Sequence, residues 1–371
     1  MKKVKLAVVG VGNCASSLIQ GIEYYKHHHN EHSDGIMQPN INGWRPQDIA
    51  IVAAFDVDKR KIGLPIEKAI FAEPNCTTVF QKLIPVNGVR VKMGQLLDGV
   101  ADHMAEYPSS QSFRVAQKDP VNVVEELKSN GAEVLVCYLP VGSQKAVEFY
   151  ANACLQAKVA MVNCVPVFIA SDKKWSNKFT QAGVPIIGDD IKSQVGATIV
   201  HRVLARLFND RGCKISRTYQ LNTGGNTDFL NMLERSRLKY KKISKTESVQ
   251  SQLDVPLDTN KIHIGPSDYV PWQKDNKVAF IRIEGKGFGG APIDLEMRLS
   301  VQDSPNSAGV VIDAIRCVAL ARERGLAGPL NSASSYYMKT PPAQHRDHIA
   351  RELTNEFIMG ENIQVNKNKI N

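Results

Sequence analysis

The sequence has no apolar run near the ~20 residues a helix needs to cross a bilayer, which argues against a membrane protein. It lacks any Cys-x-x-Cys pair, and its 7 cysteines are odd in number and scattered: Cys14, Cys76, Cys137, Cys154, Cys164, Cys213 and Cys317. That pattern reads as reduced packing residues in a reducing compartment, not as a disulfide framework or a zinc ribbon. There is no basic arm, RNA-binding aromatic motif or zinc finger. The net charge of +9 therefore suits anionic small molecules, with no nucleic-acid partner expected. Met1-Lys2-Lys3 leads straight into an apolar strand without a signal-peptide core, so a cytoplasmic location is expected. No internal repeat is evident.

What is present is an ordinary globular composition, 43% hydrophobic and 22% charged over 371 residues, enough for two domains. The informative stretch comes first. An apolar strand at 4–9 runs into Gly10-Val11-Gly12-Asn13-Cys14-Ala15 and then into a helix. Gly10 permits the tight turn, Gly12 lets the backbone approach a pyrophosphate, and Ala15 lets helix and strand pack closely. The phosphates would sit at the positive helix end. A second strand at 49–55 ends at Asp56, placed for ribose hydroxyls and repulsive to a 2′-phosphate, so NAD is favoured over NADP. Asp58 could substitute for it, or Asp56 could merely cap the next helix.

Between these strands, 26–48 is polar and holds His27, His28, His29 and His32. No carboxylate or cysteine set accompanies them, so a solvated surface loop is expected over a metal site. Residues 60–120, punctuated by Pro65, Pro74, Pro85 and Pro108, read as an irregular insertion or lid. Helices at 121–129, 144–157 and 173–183 then alternate with strands at 133–138, 159–162 and 184–187. Such alternation implies a parallel sheet covered on both faces. Asn163 ends the second of these strands. The third ends in Gly188-Asp189-Asp190-Ile191-Lys192-Ser193, two acids and a lysine where chemistry is carried out in such folds, although a helix cap is the plainer alternative. The pattern changes near 205. Strands at 215–221, 261–264, 277–284 and 293–301 suggest a mixed or antiparallel sheet, and a helix at 307–324 returns to the first domain. A terminal helix and a basic tail at 367–371 follow.

Taken in order, the segments 10–17, 188–193, 222–228, 241–245, 275–277, Asp303 and 337–339 carry a resemblance. The chain resembles the myo-inositol-1-phosphate synthase (inositol-3-phosphate synthase) family in its shorter prokaryotic form. The resemblance implies an α/β fold: a Rossmann-like doubly wound parallel sheet built from both chain ends, 1–204 and 306–371. An inserted α+β domain, 205–305, would serve catalysis and assembly of a homotetramer. It implies conversion of D-glucose 6-phosphate to 1L-myo-inositol 1-phosphate, with NAD reduced and reoxidised in each turnover. C5 is oxidised, C6 loses a proton, the enolate attacks the C1 aldehyde, and the ring ketone takes the hydride back. Developing negative charge on oxygen is what a cluster of ammonium groups stabilises.

By the same resemblance, Lys241 assists proton removal at C5. Lys245, Lys277 and Lys339 hold the phosphate or the enolate and aldol oxygens. Asp190 partners a lysine, and Asp303 lies near the nicotinamide. Asn222, Asn226 and Asp228 contact the sugar phosphate. Gly10, Gly12, Asn13, Cys14, Ala15, Asp56, Asn163, Asp190, Ser193 and Asp303 are the cofactor candidates. A base role requires a neutral lysine, which crowding of cations should supply; the substrate phosphate is the other candidate for the C6 proton. A mono- or divalent cation near the cofactor phosphates is a further implication, its identity open. The loop GVGNCASS and the segment YLPVGS depart from the longer eukaryotic pattern and leave cofactor contacts there open. An ordinary NAD-dependent dehydrogenase is the competing reading, distinguished by net NADH. A non-enzymatic NAD-binding protein is another; it would leave the lysines facing solvent.

Overall fold

The computed structural model describes residues 2–28 and 34–361. His29 and His32 of the histidine cluster, and the basic tail at 367–371, lie outside the described residues. Among the described residues, eleven strands form two sheets: β1 (Val4–Val9), β2 (Ile49–Asp56), β3 (Val91–Met93), β4 (Val134–Cys137), β5 (Ala160–Asn163), β6 (Pro185–Ile187), β7 (Lys214–Gly224), β8 (Ile262–Tyr269), β9 (Asn276–Lys286), β10 (Pro292–Gln302) and β11 (Gly328–Pro329). The first sheet has the order 11-6-5-4-1-2-3 and is parallel throughout. β4 and β5 are buried at every position, as strands covered on both faces must be. The strand order reverses at β1 and β4, and the crevice beyond their carboxyl ends is where such a sheet takes a ligand.

Both chain ends contribute to this layer. Helix Asp303–Glu323 packs against the first helix, Asn13–His27, and against β4, β5 and β6. It is buried almost throughout, and it carries an internal ion pair, Asp313 with Arg316, both fully buried. Arg316 also donates to the carbonyls of Gln38, Pro39 and Trp44. That corrects the expectation of a solvated loop at 26–48. Ile36, Ile41 and Trp44 are buried against the core, and the guanidinium secures the chain over them.

The second sheet has the order 10-9-7-8, with β7 and β8 parallel and the other pairs antiparallel. One face of β7 buries Ile215, Thr218, Gln220 and Asn222, changing from apolar to polar toward its carboxyl end. Helices Ala197–Asp210 and Lys239–Gln250 cover that face around Ala205, Phe208, Val249, Ile281 and Ile283. The join expected at 204–205 falls inside the first of these helices.

Candidate active site

The glycine loop has the geometry a dinucleotide needs. Gly10 takes φ +88°, and a Cβ there would meet the Tyr138 carbonyl oxygen at 2.7 Å. A Cβ on Gly12 would meet nothing within 4 Å, and no side chain caps the 15-residue helix that Gly12 starts. Open space therefore lies beside Gly12 at the start of that uncapped helix, which fits a pyrophosphate. Ala15 is fully buried in the core. The Asp56 carboxylate accepts from Val11 N (2.7 Å), Val57 N (2.7 Å) and Asp58 N (2.8 Å). Asp58, the alternative, is fully buried and paired with Arg60. Behind the loop, the buried Lys61 donates to Val11 O (2.8 Å) and Asn75 Oδ1 (2.9 Å). The Val11 peptide is therefore held by a carboxylate on its N–H and an ammonium on its carbonyl.

Two expected cofactor residues are engaged within the protein. Asn13 Oδ1 accepts from Cys76 N (2.6 Å) and Thr77 N (3.0 Å), tying the 60–120 segment to the glycine loop. Asn163 is fully buried and donates to Val167 O and Asp189 Oδ1, both at 2.7 Å. Burial and the nearby Asp275 and Asp303 push the Cys14 thiol up to about 12, so it stays protonated.

The lysines converge. Lys241, Lys245, Lys277 and Lys339 line one cavity of about 120 Å³ together with Asp190, Asp228, Asp303 and Ser193. Lys241 and Lys245 stand four residues apart on helix Lys239–Gln250, so they share a face. Lys277 enters from β9 and Lys339 from the segment after helix Asn331–Tyr337. Three of the four have a carboxylate: Lys241 with Asp228 (2.8 Å), Lys277 with Asp303 (3.2 Å) and Lys339 with Asp190 (2.7 Å). Among the described residues Lys245, buried at 6% exposure, makes no ion pair or hydrogen bond through its amine. Burial, with Lys241, Lys277 and Lys339 close by, pushes its pKa well below the usual lysine range. Burial also opposes the Lys277 ammonium, but Asp303 and Asp228 hold its pKa above that range. For Asp228, burial works upward and is outweighed by Lys241, Lys277 and Lys245, so its carboxyl titrates low.

Asn222 and Asn226 stand behind this wall. Asn222 Oδ1 accepts from Gln220 (3.0 Å), and its buried amide nitrogen has no partner among the described residues. Asn226 caps helix Thr227–Asn231 and donates to Asp275 (2.8 Å). Asp275 belongs to a segment that carries the resemblance, but the sequence assigned it no role. It also accepts from Ser304 N and Oγ, and burial with Asp303 nearby pushes it up to about 6. Sequence reasoning missed Ser244, which donates to Asp190 Oδ2 (2.7 Å). Lys192, expected near the chemistry, is buried beneath it, bonded to Ser335 O (2.8 Å) and paired with Asp347. Among the described residues no three His, Cys, Asp or Glu side chains gather as a metal set, so no step is assigned to the expected cation.

Comparison with known proteins agrees with this arrangement. Residues 196–304 match the family model described as myo-inositol-1-phosphate synthase. An inositol-3-phosphate synthase of Mycobacterium tuberculosis is 52% identical over 96% of both chains. The crystal structure of Ari2 is 37% identical and superposes with a TM-score of 0.78 over 97% of this chain and 98% of that one. A myo-inositol-1-phosphate synthase-related protein of Thermotoga maritima shares the fold, with 22% identity and a TM-score of 0.78 over 96% and 98% of the two chains. The chain belongs to the inositol-3-phosphate synthase family.

Proposed function

We propose that this protein converts D-glucose 6-phosphate to 1L-myo-inositol 1-phosphate, with NAD as a cofactor that is regenerated in each turnover. The observation that carries the reading is the convergence of four lysines and three aspartates on one small cavity. The chemistry that NAD would supply when bound is reversible hydride transfer, out of C5 and back to the cyclised ketone. The glycine loop from Gly10 to Ala15, with Asp56, would hold NAD. Asp303, Ser193 and Asp190 lie where its reactive end would meet the sugar.

Within the cavity Lys245 is the best base. Among the described residues it makes no ion pair, and burial with three neighbouring ammonium groups outweighs the pull of Asp190 and depresses its pKa. Lys241, expected to assist proton removal at C5, is paired with Asp228, and in this reading it acts as a fixed cation. Lys241, Lys277 and Lys339 would neutralise the phosphate and the enolate and aldol oxygens. Their carboxylates fix each ammonium in place before charge develops, which is the condition for strong electrostatic stabilisation. Homotetramer assembly is part of the same reading. It is supported by the outer face of the second sheet, where Tyr219, Leu221 and Phe280 are exposed and Leu221 lies opposite Phe280.

The test is direct. Purified protein given glucose 6-phosphate and NAD⁺ should form inositol phosphate with no net NADH. Stoichiometric NADH would identify a plain dehydrogenase instead.

A further inference from the structure

We propose that Tyr138 binds the nicotinamide half of the dinucleotide through its hydroxyl. The inference rests on the cofactor reading above. Tyr138 directly follows β4, and its N–H donates to Val9 O (2.9 Å). Its carbonyl oxygen is the atom a side chain on Gly10 would strike, at 2.7 Å. The residue therefore stands against the glycine loop, in the crevice where the strand order reverses.

The hydroxyl of Tyr138 is buried and has no hydrogen-bond partner among the described residues. The ionisable groups that act on it are Cys164, which lines the lysine cavity, and Cys14 of the glycine loop. A phenol in this position loses its water on folding and regains nothing, which is uncommon in native proteins and calls for a partner that arrives later. Burial holds its pKa well above the usual tyrosine range, so it serves as a donor and not as a proton-transfer group.

The side of the crevice identifies that partner. In a doubly wound sheet the two mononucleotide halves lie on opposite sides of the reversal point. Asp56 ends β2 on one side, where the adenosine half belongs, and Tyr138 ends β4 on the other. The nicotinamide half presents carboxamide and ribose oxygens, either of which can accept from a phenol.

Tyr138→Phe tests this with two binding titrations and a melt. The ligand-free variant should melt at or above the wild-type temperature, because an unpartnered buried hydroxyl has been removed. Its dissociation constant for NAD⁺, measured calorimetrically, should rise roughly three- to tenfold, the loss of one neutral hydrogen bond. Its constant for ADP, which lacks the nicotinamide half, should be unchanged. An unaltered NAD⁺ constant overturns the proposal. So does an equal loss for ADP, or a clear fall in the ligand-free melting temperature, which would mean the hydroxyl already has a partner. A wild-type protein that binds ADP but gains nothing from the nicotinamide half overturns it as well, and one that binds neither overturns the cofactor reading beneath it.

Discussion

Lys339 and Asp190 are joined twice. The Lys339 backbone N–H donates to the Asp190 carbonyl, and its ammonium donates to Oδ1 of the same residue, both at 2.7 Å. Asp190 also accepts from Ser244 and takes φ +62°, a conformation that costs a residue with a Cβ. The contacts hold a strained residue where its carboxylate can orient an ammonium group.

Asp190→Asn should keep the Ser244 contact but leave Lys339 without a counter-charge. We expect kcat to fall by roughly two to three orders of magnitude, the scale of losing one preorganised electrostatic contact. Lys339→Ala should lower kcat by a similar factor, and Lys241→Ala should abolish turnover, in both cases while NAD⁺ still binds. The double variant of 190 and 339 should cost little more than either single one, since the two act as a unit. Additive losses in steady-state assays would show that they do not.

Lys245→Met should lower kcat by roughly 10²–10⁴, the range for a general base. The sign of the pH effect follows from its depressed pKa. As pH falls through that value the amine protonates, so wild-type rate should fall on the acid side. The variant's residual rate should lack that limb. A pH–rate profile that keeps it assigns the titration to another group.

His201 is fully buried 2.8 Å from Thr218 Oγ1, and burial pushes its pKa down to about 4 from 6.5. The unfolded chain then binds the extra proton between those values. Stability should decline as pH falls from about 6.5 to about 4, by on the order of 3 kcal/mol in all. His201→Gln should flatten that part of the curve in denaturant titrations across pH.

Lys61→Met should weaken NAD⁺ binding by about tenfold, because the Val11 carbonyl loses a charge-assisted bond in a buried place. Glucose 6-phosphate binding to the NAD-saturated protein should change little. Calorimetry on both ligands separates the two effects.

Much of this was legible. Strand, glycine turn and helix at the N-terminus, and the strand–helix alternation to 187, are local patterns, and local pattern is what a sequence displays. β3 and β11 escaped because strands of 3 and 2 residues carry no periodicity. The parallel pairing of β7 with β8 escaped because pairing is set by partners far along the chain. Ile36, Ile41 and Trp44 were visible as apolar residues, but their burial depends on Arg316, some 270 residues away. In the site, the spacing of Lys241 and Lys245 was readable once a helix is assumed. Which lysine lacks a carboxylate was not, since each partner comes from another element. Nor was the bracing role of Asn163 and Asn226, polar residues whose partners appear only on folding.

The ammonium groups and carboxylates come from residue 190 just beyond β6, from residues between 228 and 303 around the second sheet, and from 339 after helix Asn331–Tyr337. During synthesis, then, a ribosome must release the chain through residue 339 before the last cation reaches its place. An unfinished or clipped product that stops short of residue 339 would retain the nucleotide loop and yet have no complete reaction chamber, so such partial copies should be chemically silent bystanders.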